Sequence, residues 1–359
     1  MKATTPLPGA GDNAACLEAA REAHLRYITD DTPGIRRIRH GARFRYRDPN
    51  GVIITDQQTL ERIRALTVPP AWTQVWICPN PAGHIQATGR DSKGRKQYRY
   101  HPRWRAIRDE QKFDRLVSFA EVLPRIRRQV QRDLRLAGMP RAKVLATVVR
   151  LLESTLMRVG NEEYVKQNGS FGLTTLRNPH ARVRKNEIHF EFRGKGGIWH
   201  RLSIHDRRLA RIIKRCQEIP GQELFQYLDE EGNRHPIGSV DVNEYLQNAA
   251  GAEYTAKDFR TWHGTLLALR EFEACVDAQQ AKPANGNLKR CIEEVARQLG
   301  NTPAVCRQCY IHPALIAAFQ EGSLETKALR QCGETSKRSA SRLSADEHAL
   351  LSWLRTVDA

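Results

Sequence analysis

Long apolar runs are absent from this sequence. Within its 359 residues, no stretch approaches the roughly 20 consecutive apolar residues of a membrane-spanning helix. The first residues also lack the basic segment followed by an apolar one that marks a secretory signal. We therefore expect a cytoplasmic protein that has no membrane partner.

Cysteine is sparse and scattered. The eight cysteines stand at positions 16, 78, 216, 275, 291, 306, 309 and 332, which does not match a disulfide scaffold in a chain of this length. Cys306 and Cys309 have the spacing of metal ligands, but His312 is the only neighbouring candidate, whereas structural zinc sites favour four clustered ligands. We expect reduced thiols and no bound metal.

Acidic residues are outnumbered by basic ones. The sequence has 40 Asp and Glu against 58 Lys and Arg, which leaves a formal charge of +18 and a pI of about 9.9. Such an excess attracts polyanions whatever the fold, so nucleic acid is the first partner to expect. Hydrophobic residues make up 40% of the chain, which argues against disorder throughout.

The length predicts about two domains, and the first of them is rich in strands. A short helix is predicted at 15–29, and alternating residues around the turn DPNG predict a hairpin of 43–47 with 52–55. Further strands are predicted at 73–78, 84–88 and 96–100. We expect a β-rich N-terminal domain over residues 1–104.

A larger, mainly helical domain is predicted over residues 105–330, so the expected fold class is α+β. Helices to about residue 166 are expected to be interrupted by Pro124 and by 138–140, and a hairpin with its turn at 194–197 interrupts the helical pattern. Thr255 and Thr302 have the sequence of helix N-caps, and the second places Tyr310 at or near a helix end. Residues 331–359 are expected to form a linker and a small terminal helix near 345–355.

Five segments carry a resemblance when they are taken together and in order. They are GRDSKGRKQYRY (89–100), LMRVGNEEY (156–164), FRGKGG (192–197), KDFRTWHG (257–264) and LGNTPAVCRQCYIHP (299–313). In this order they resemble the compact type IB topoisomerases of poxviruses and bacteria, over roughly residues 30 to 318. The resemblance implies a small β-rich DNA-clamping domain followed by a mainly helical catalytic domain.

The resemblance assigns five residues to strand cleavage. It implies that Tyr310 attacks a backbone phosphate, which yields a 3′-phosphotyrosyl intermediate and a free 5′-hydroxyl end. Arg158 and Arg260 match two arginines that stabilise the transition state, and Lys195 matches the general acid that protonates the leaving oxygen. Asn301 stands where poxviral and nuclear relatives carry His, and its amide donates a hydrogen bond but does not titrate. Because one phosphoester replaces another, neither ATP nor a metal is implied.

The resemblance also implies duplex DNA as partner, held by a monomer that clamps around it, and a nucleoid-associated location. The implied DNA contacts combine cations with amide and aromatic groups; they are Lys93, Arg95, Lys96, Gln97, Tyr98, Tyr100 and Tyr164. Poxviral enzymes carry lysines where this chain has Asn161, Glu162 and Glu163, so we do not expect their strong sequence specificity.

Two other functions fit parts of the pattern. A tyrosine recombinase shares the arginines, lysine and tyrosine, but commonly places His three residues before the second arginine, where this chain has Lys257. A noncatalytic basic DNA-binding protein would explain the charge but not the intact set of Arg158, Lys195, Arg260 and Tyr310. Relaxation of a plasmid that carries no recombination site separates a topoisomerase from a recombinase.

Overall fold

The computed structural model describes residues 17, 20–41, 43–92, 94, 96–162, 165–166, 169–279, 285–324 and 342–357. The chain divides into two compact units, Met1–Lys112 and Phe113–Ala359. The division lies eight residues beyond residue 104, where the sequence predicts it. No helix among the described residues is both long and apolar enough to cross a bilayer.

The first unit is built on an antiparallel sheet of five strands in the order β2-β1-β3-β4-β5. The strands are β1 (Ile35–His40), β2 (Arg43–Arg47), β3 (Thr73–Ile77), β4 (Ile85–Arg90) and β5 (Lys96–Tyr100), and helix α1 (Gln57–Ala65) lies between β2 and β3 in the chain. One sheet face packs Val75, Ile77 and Ala87 with Ile63 of α1. The strands predicted at 43–47, 73–78, 84–88 and 96–100 are confirmed.

The predicted hairpin of 43–47 with 52–55 is confirmed only in part. Strand β2 pairs along its whole length with β1, whereas 52–55 adds a short pairing in which Ile53 forms a bridge with Arg47 and the Ile54 amide donates to the Tyr46 carbonyl oxygen at 2.9 Å. The turn between them forms as predicted, because the Asp48 side chain accepts hydrogen bonds from the amides of Asn50 and Val52. The helix predicted at 15–29 ends early, since Arg26 already forms a bridge with Gly83.

The second unit is mainly helical, as predicted, and the α+β fold class is confirmed. Its helices, with the long one that begins in the first unit, are α2 (Pro102–Asp133), α3 (Arg141–Thr155), α4 (Arg207–Glu218), α5 (Ser239–Ala250), α6 (Ala256–Gln279), α7 (Asn285–Leu299), α8 (Pro303–Cys309), α9 (Pro313–Glu321) and α10 (Ala345–Val357).

Pro124 does not interrupt helix α2, contrary to the prediction. A proline inside a helix costs roughly 3 kcal/mol through a lost hydrogen bond and a steric clash. On this helix Phe119, Leu123 and Ile126 are almost fully buried in the core of the unit. Burial of such side chains contributes about 1.5 to 3 kcal/mol each, which outweighs the proline penalty.

A three-stranded antiparallel sheet in the order β6-β7-β8 stands among these helices. Its strands are β6 (Ala181–Arg184), β7 (Glu187–Arg193) and β8 (Trp199–His205), and a short pair of β9 (Gln226–Leu228) and β10 (Arg234–Pro236) follows. The predicted hairpin is confirmed, because β7 and β8 pair from Glu187↔His205 to Arg193↔Trp199. Gly196 and Gly197 adopt φ of 76° and 79° in the turn, a region that favours glycine.

The C-terminal helix α10 is anchored to the unit by a buried ion cluster. Arg127 on α2 contacts Glu347 of α10 at 2.7 Å and Glu153 of α3 at 2.6 Å. Trp262 on α6 donates from Nε1 to Glu347 at 3.4 Å. Burial opposes ionisation of Glu347, but the hydrogen bonds and charge of Arg127 outweigh it and lower its pKa to about 2. The predicted terminal helix is confirmed, while residues 331–341 lie outside the described ranges.

We predict that Glu347→Gln lowers the free energy of unfolding at neutral pH by about 3 kcal/mol, because it breaks a buried ion pair. The folded-state pKa lies below the ordinary value of 4.5, so the stabilisation is present above that pH and is lost as pH falls toward 2. Urea unfolding at several pH values measures the difference between variant and parent, which should shrink below pH 4.5.

The matched control is Glu121→Gln, which removes the exposed partner of Arg355 and should change stability by less than about 1 kcal/mol. A difference for Glu347→Gln that stays constant with pH, or one no larger than the control, would contradict the role assigned to this cluster.

Candidate active site

Two arginines converge where helices α3 and α7 end. Helix α3 closes at Leu156 in the left-handed conformation (φ 57°), which turns the chain toward Arg158. Arg158 Nη1 and Nη2 donate to the carbonyl oxygen of Gly300 at 3.2 and 3.3 Å, and Nη2 also donates to Asn301 Oδ1. Arg158 is therefore held by the loop that follows α7.

Arg260, on helix α6, is held by the same two chain segments. Its Nη1 donates to the carbonyl oxygen of Leu156, and its Nη2 donates to that of Leu299 at 2.8 Å. The side chain is only 5% exposed. Its guanidinium carbon lies 5.2 Å from the centre of the Tyr310 ring, within the range of a cation–π contact.

Tyr310 lies at the C-terminal cap of the short helix α8. Thr302 caps the helix start, where its hydroxyl accepts from the amide of Val305, and Pro303 occupies the first turn. The Tyr310 amide donates to the carbonyl oxygen of Cys306 at 2.9 Å. The predicted N-cap and the predicted place of Tyr310 at a helix end are thus both confirmed.

Helix α6 also fixes the backbone of Tyr310. The Thr265 hydroxyl donates to the Tyr310 carbonyl oxygen at 3.2 Å and accepts from the His312 amide at the same distance. At Gly264, an added Cβ would lie 2.5 Å from the Tyr310 carbonyl oxygen, so only glycine permits this close approach. Helix α6 therefore carries Arg260 and also the residues that contact the backbone of Tyr310.

Like charges sit close together in this site. Burial and the charge of Arg260 lower the pKa of Arg158 to about 10, which still leaves the guanidinium protonated at neutral pH. Arg260 Nε and Asn301 Nδ2 are buried donors without a hydrogen-bond partner among the described residues. The site therefore holds concentrated positive charge and unpaired donors, and it favours an anion with several oxygens.

Lys195 stands at the exposed start of the turn between β7 and β8, as predicted. Within the described part of the chain, no hydrogen bond or ion pair joins it to Arg158, Arg260, Asn301 or Tyr310. The structure thus brings four of the five predicted site residues together and places the fifth on a separate hairpin.

His200 links that hairpin to the rest of the site, and the sequence analysis missed it. Its ring stacks on Phe192, with centroids 5.0 Å apart and planes at 10°. An added Cβ at Gly194 would lie 2.5 Å from this ring, and one at Gly300 would lie 2.6 Å from it. Burial and the charges of Arg158 and Arg260 lower the pKa of His200.

A signal for His200 was present in the sequence. Side chains alternate between two faces along a strand, so His200 shares the inner face of β8 with Leu202 and Ile204, while Trp199 and Arg201 face solvent. A polar ring on the packed face of the hairpin, five residues after the candidate lysine, marks a position worth testing.

The predicted DNA-contacting residues are only partly grouped. On β5, Lys96, Tyr98 and Tyr100 share one face, and the two tyrosine rings stack at 5.8 Å. Gln97 is on the opposite face and donates to Asp91 at 3.1 Å. Lys96 pairs with Asp30 at 2.7 Å. The remaining predicted contacts, Lys93, Arg95 and Tyr164, lie outside the described residues.

The thiols do not form a metal centre in the described part of the chain. Cys306 is buried within α8 and Cys309 is half-buried at its end. His312 caps α9, where its Nδ1 accepts from the amide of Ala314 at 3.2 Å. Among the described residues, no group of three or more His, Cys, Asp or Glu side chains is placed to hold a metal ion.

Comparison with known families covers both units. The model of the eukaryotic DNA topoisomerase I catalytic core matches residues 101–336, and that of the bacterial DNA topoisomerase IB N-terminal domain matches residues 43–91. The first match spans about two thirds of the chain. The chain therefore belongs to the type IB DNA topoisomerase family, as its motifs indicated.

Three curated relatives illustrate the range of similarity. DNA topoisomerase 1B of Acanthamoeba polyphaga mimivirus is 33% identical over 298 residues, which cover 80% of this chain and 88% of the relative. DNA topoisomerase I of Monkeypox virus is 25% identical over 237 residues, with coverage of 65% and 72%. DNA topoisomerase 1 of Mycosarcoma maydis is 30% identical over 216 residues, which cover 53% of this chain and 21% of that protein.

Proposed function

We propose that this protein relaxes supercoiled duplex DNA by cutting one strand with Tyr310, through a 3′-phosphotyrosyl intermediate, and then resealing it. The observation that carries the proposal is the pair of charged arginines beside a half-buried tyrosine, with Arg260 lying 5.2 Å from its ring. A phenol has an ordinary pKa near 10, so it attacks a phosphate well only where positive groups stabilise the negative charge that develops.

In this proposal Arg158 and Arg260 hold the non-bridging oxygens of the phosphorane. Guanidinium groups suit that role because they stay charged in buried sites and donate paired hydrogen bonds. Main-chain carbonyls orient both groups before DNA arrives, as the bonds to Leu156, Leu299 and Gly300 support. Such preorganisation lowers the reorganisation needed in the transition state.

Asn301 supplies a further donor. Its Oδ1 is engaged by Arg158, which orients the amide so that Nδ2 is left without a partner among the described residues. An unpaired buried donor costs roughly 1 to 3 kcal/mol, and a phosphate oxygen would recover that energy. Strand cleavage needs an oriented dipole at position 301 more than it needs a proton, so the amide of Asn301 serves where relatives carry His.

Lys195 acts as the general acid that protonates the departing 5′ oxygen. Its exposed position on a Gly-rich turn supports this role, because it leaves the cation free to approach bound DNA. Cleavage replaces one phosphoester bond by another and so retains the bond energy; in this proposal neither ATP nor a metal takes part. Religation reverses the step when the 5′-hydroxyl attacks the phosphotyrosine.

We propose that the protein works as a monomer that clamps duplex DNA, bound to the nucleoid in the cytoplasm. The net charge of +18 and the exposed Tyr98, 39% accessible on an edge strand, support contact with the duplex. A tyrosine recombinase, the alternative raised by the sequence, would use the same arginines and tyrosine. Relaxation of plasmid DNA without any recombination site distinguishes the two.

The direct test is Tyr310→Phe. The variant should still bind duplex DNA, because the basic surface is unchanged, but it should form no covalent adduct in denaturant and should not relax supercoiled plasmid. Gel assays of adduct formation and relaxation measure both. The parental protein should still relax the plasmid fully when a chelator is present and ATP is absent.

The matched control is Tyr254→Phe, which removes a buried hydroxyl that donates to Ser118 at 2.8 Å. This variant should still cleave. If Tyr310→Phe relaxes DNA at the parental rate, or if the adduct maps to another tyrosine, the nucleophile has been assigned wrongly.

The role of Lys195 is tested with the leaving group. Lys195→Ala should cleave an ordinary strand about 10² to 10⁴-fold more slowly, which is the usual loss when a general acid is removed. It should regain most of its rate on a strand whose scissile 5′ oxygen is replaced by sulfur. A thiolate, with an ordinary pKa of about 8.5, departs without a proton.

His200→Ala serves as the second arm of this experiment, because His200 packs against Gly194 beside Lys195 and against Gly300 beside Asn301. If His200 acts mainly by positioning the hairpin that carries Lys195, the sulfur-containing strand should also restore the cleavage rate of His200→Ala. Arg158→Ala should show much weaker rescue, since the phosphorane charge must be held whichever atom leaves. Equal rescue of Arg158→Ala and Lys195→Ala, or no rescue of Lys195→Ala, would overturn the assignment of the acid.

A further inference from the structure

Four arginines share one face of the β1–β2 hairpin, at the sheet edge away from β5. Arg36 lies directly opposite Arg47 across the two strands, and His40 lies opposite Arg43. Arg45, which lies between Arg43 and Arg47 on β2, pairs with Ile38 of β1. The four arginine side chains are exposed, and we call them the arginine face.

The arginine face is not neutralised by the protein itself. Among the described residues, no carboxylate forms an ion pair with any of its four members, as is also true of other exposed arginines such as Arg184 and Arg211. Asp48 stands next to Arg47 in the chain, but its Oδ1 accepts from two turn amides.

This arrangement carries an energetic penalty in the free protein. Like charges directly opposite each other on neighbouring strands destabilise the pair by a few tenths of a kcal/mol or more. A strand pair that served only the sheet would place polar or oppositely charged side chains there. The clustering instead matches the repeated charge of a polyanion, whose binding releases counterions and offsets the repulsion.

The arginine face lies on the same side of the sheet as the aromatic residues of β5. Strand pairing joins Arg36 to Trp76, Trp76 to Thr88 and Thr88 to Tyr98, so the four residues form one row across the sheet. Directly paired residues point to the same face of a sheet. Arg36 on β1 and Tyr98 on β5 are therefore exposed on one face, Arg36 toward the β2 edge and Tyr98 at the β5 edge.

The middle of this face is covered by the preceding chain segment. Trp76 donates from Nε1 to the carbonyl oxygen of Thr32 at 2.9 Å, and the Thr88 hydroxyl donates to Asp30 at 2.9 Å. Two separate exposed patches remain, one at β1–β2 and one at β5. With strands about 4.8 Å apart, the outer strands β2 and β5 are separated by roughly 19 Å.

We propose that the arginine face binds the phosphate backbone of the same duplex that the β5 patch contacts. The separation of roughly 19 Å exceeds the width of a major groove, about 12 Å, so one patch can meet base edges while the other meets the backbone beyond the groove rim. This inference rests on the proposed function for its ligand, duplex DNA, but not on the chemistry assigned to Tyr310.

The test uses the full chain with Arg43→Gln, Arg45→Gln and Arg47→Gln combined. Its affinity for a 30-base-pair duplex is measured by fluorescence anisotropy over a series of KCl concentrations. Each phosphate contact contributes about 0.9 to the slope of log affinity against log salt, so the slope should fall by about 2 to 3. The triple Lys variant at the same positions keeps the charge and should retain most of the slope.

The matched control combines Arg270→Gln, Arg297→Gln and Arg355→Gln, which removes the same charge from exposed arginines that already have acidic partners. Its slope should stay near the parental value. An equal fall in both triple variants would show a general effect of net charge and would overturn the proposal. An unchanged slope in the first variant would overturn it as well.

Two further outcomes are distinguishable. If the arginine face held a second duplex, the slope for the first duplex would stay unchanged and a second binding event would disappear, which contradicts the proposal as stated.

If the parental chain neither nicks nor relaxes plasmid DNA, the proposed function fails, whereas a slope difference between the two Gln variants would still support the arginine face. Single-turnover cleavage at saturating enzyme should be unchanged by the three Gln substitutions, because saturation offsets the weaker binding and none of the three is a candidate site residue.

Discussion

Two guanidinium groups of like charge held side by side are the constraint on which the candidate site depends. No carboxylate in the described part of the chain pairs with Arg158 or Arg260 there; they are held by carbonyl oxygens of Leu156, Leu299 and Gly300. Carbonyl dipoles orient the two cations without neutralising them. The site therefore keeps a positive potential that an anionic ligand can satisfy, and burial strengthens the interaction.

The surrounding elements follow from this arrangement. Helix α3 must end in the left-handed turn at Leu156 to offer its carbonyl, and α7 must end at Leu299 for the same reason. Helix α6 carries Arg260 and, one turn later, the glycine that admits the backbone of Tyr310. The ion cluster of Arg127 and Glu347 ties α2, α3 and α10 together through Glu153 and stabilises the frame around α6.

Local features of the chain were predictable and long-range ones were not. The strand of alternating residues at 43–47, the Gly-rich hairpin turn and the cap at Thr302 depend on neighbours in sequence, and each is confirmed. The persistence of α2 through Pro124 and the place of His200 depend on packing between distant segments. The five candidate residues came from ordered motifs, and the convergence of four of them required the folded chain.

The most direct measurement compares cleavage with binding in Arg158→Ala and Arg260→Ala. Single-turnover cleavage of a duplex by each variant is set beside its affinity for the same duplex at one salt concentration. If the arginines act chiefly on the phosphorane, cleavage should slow by about 10² or more while affinity changes far less. Equal losses in cleavage rate and affinity would instead show that both side chains hold ground-state phosphate, which contradicts the account.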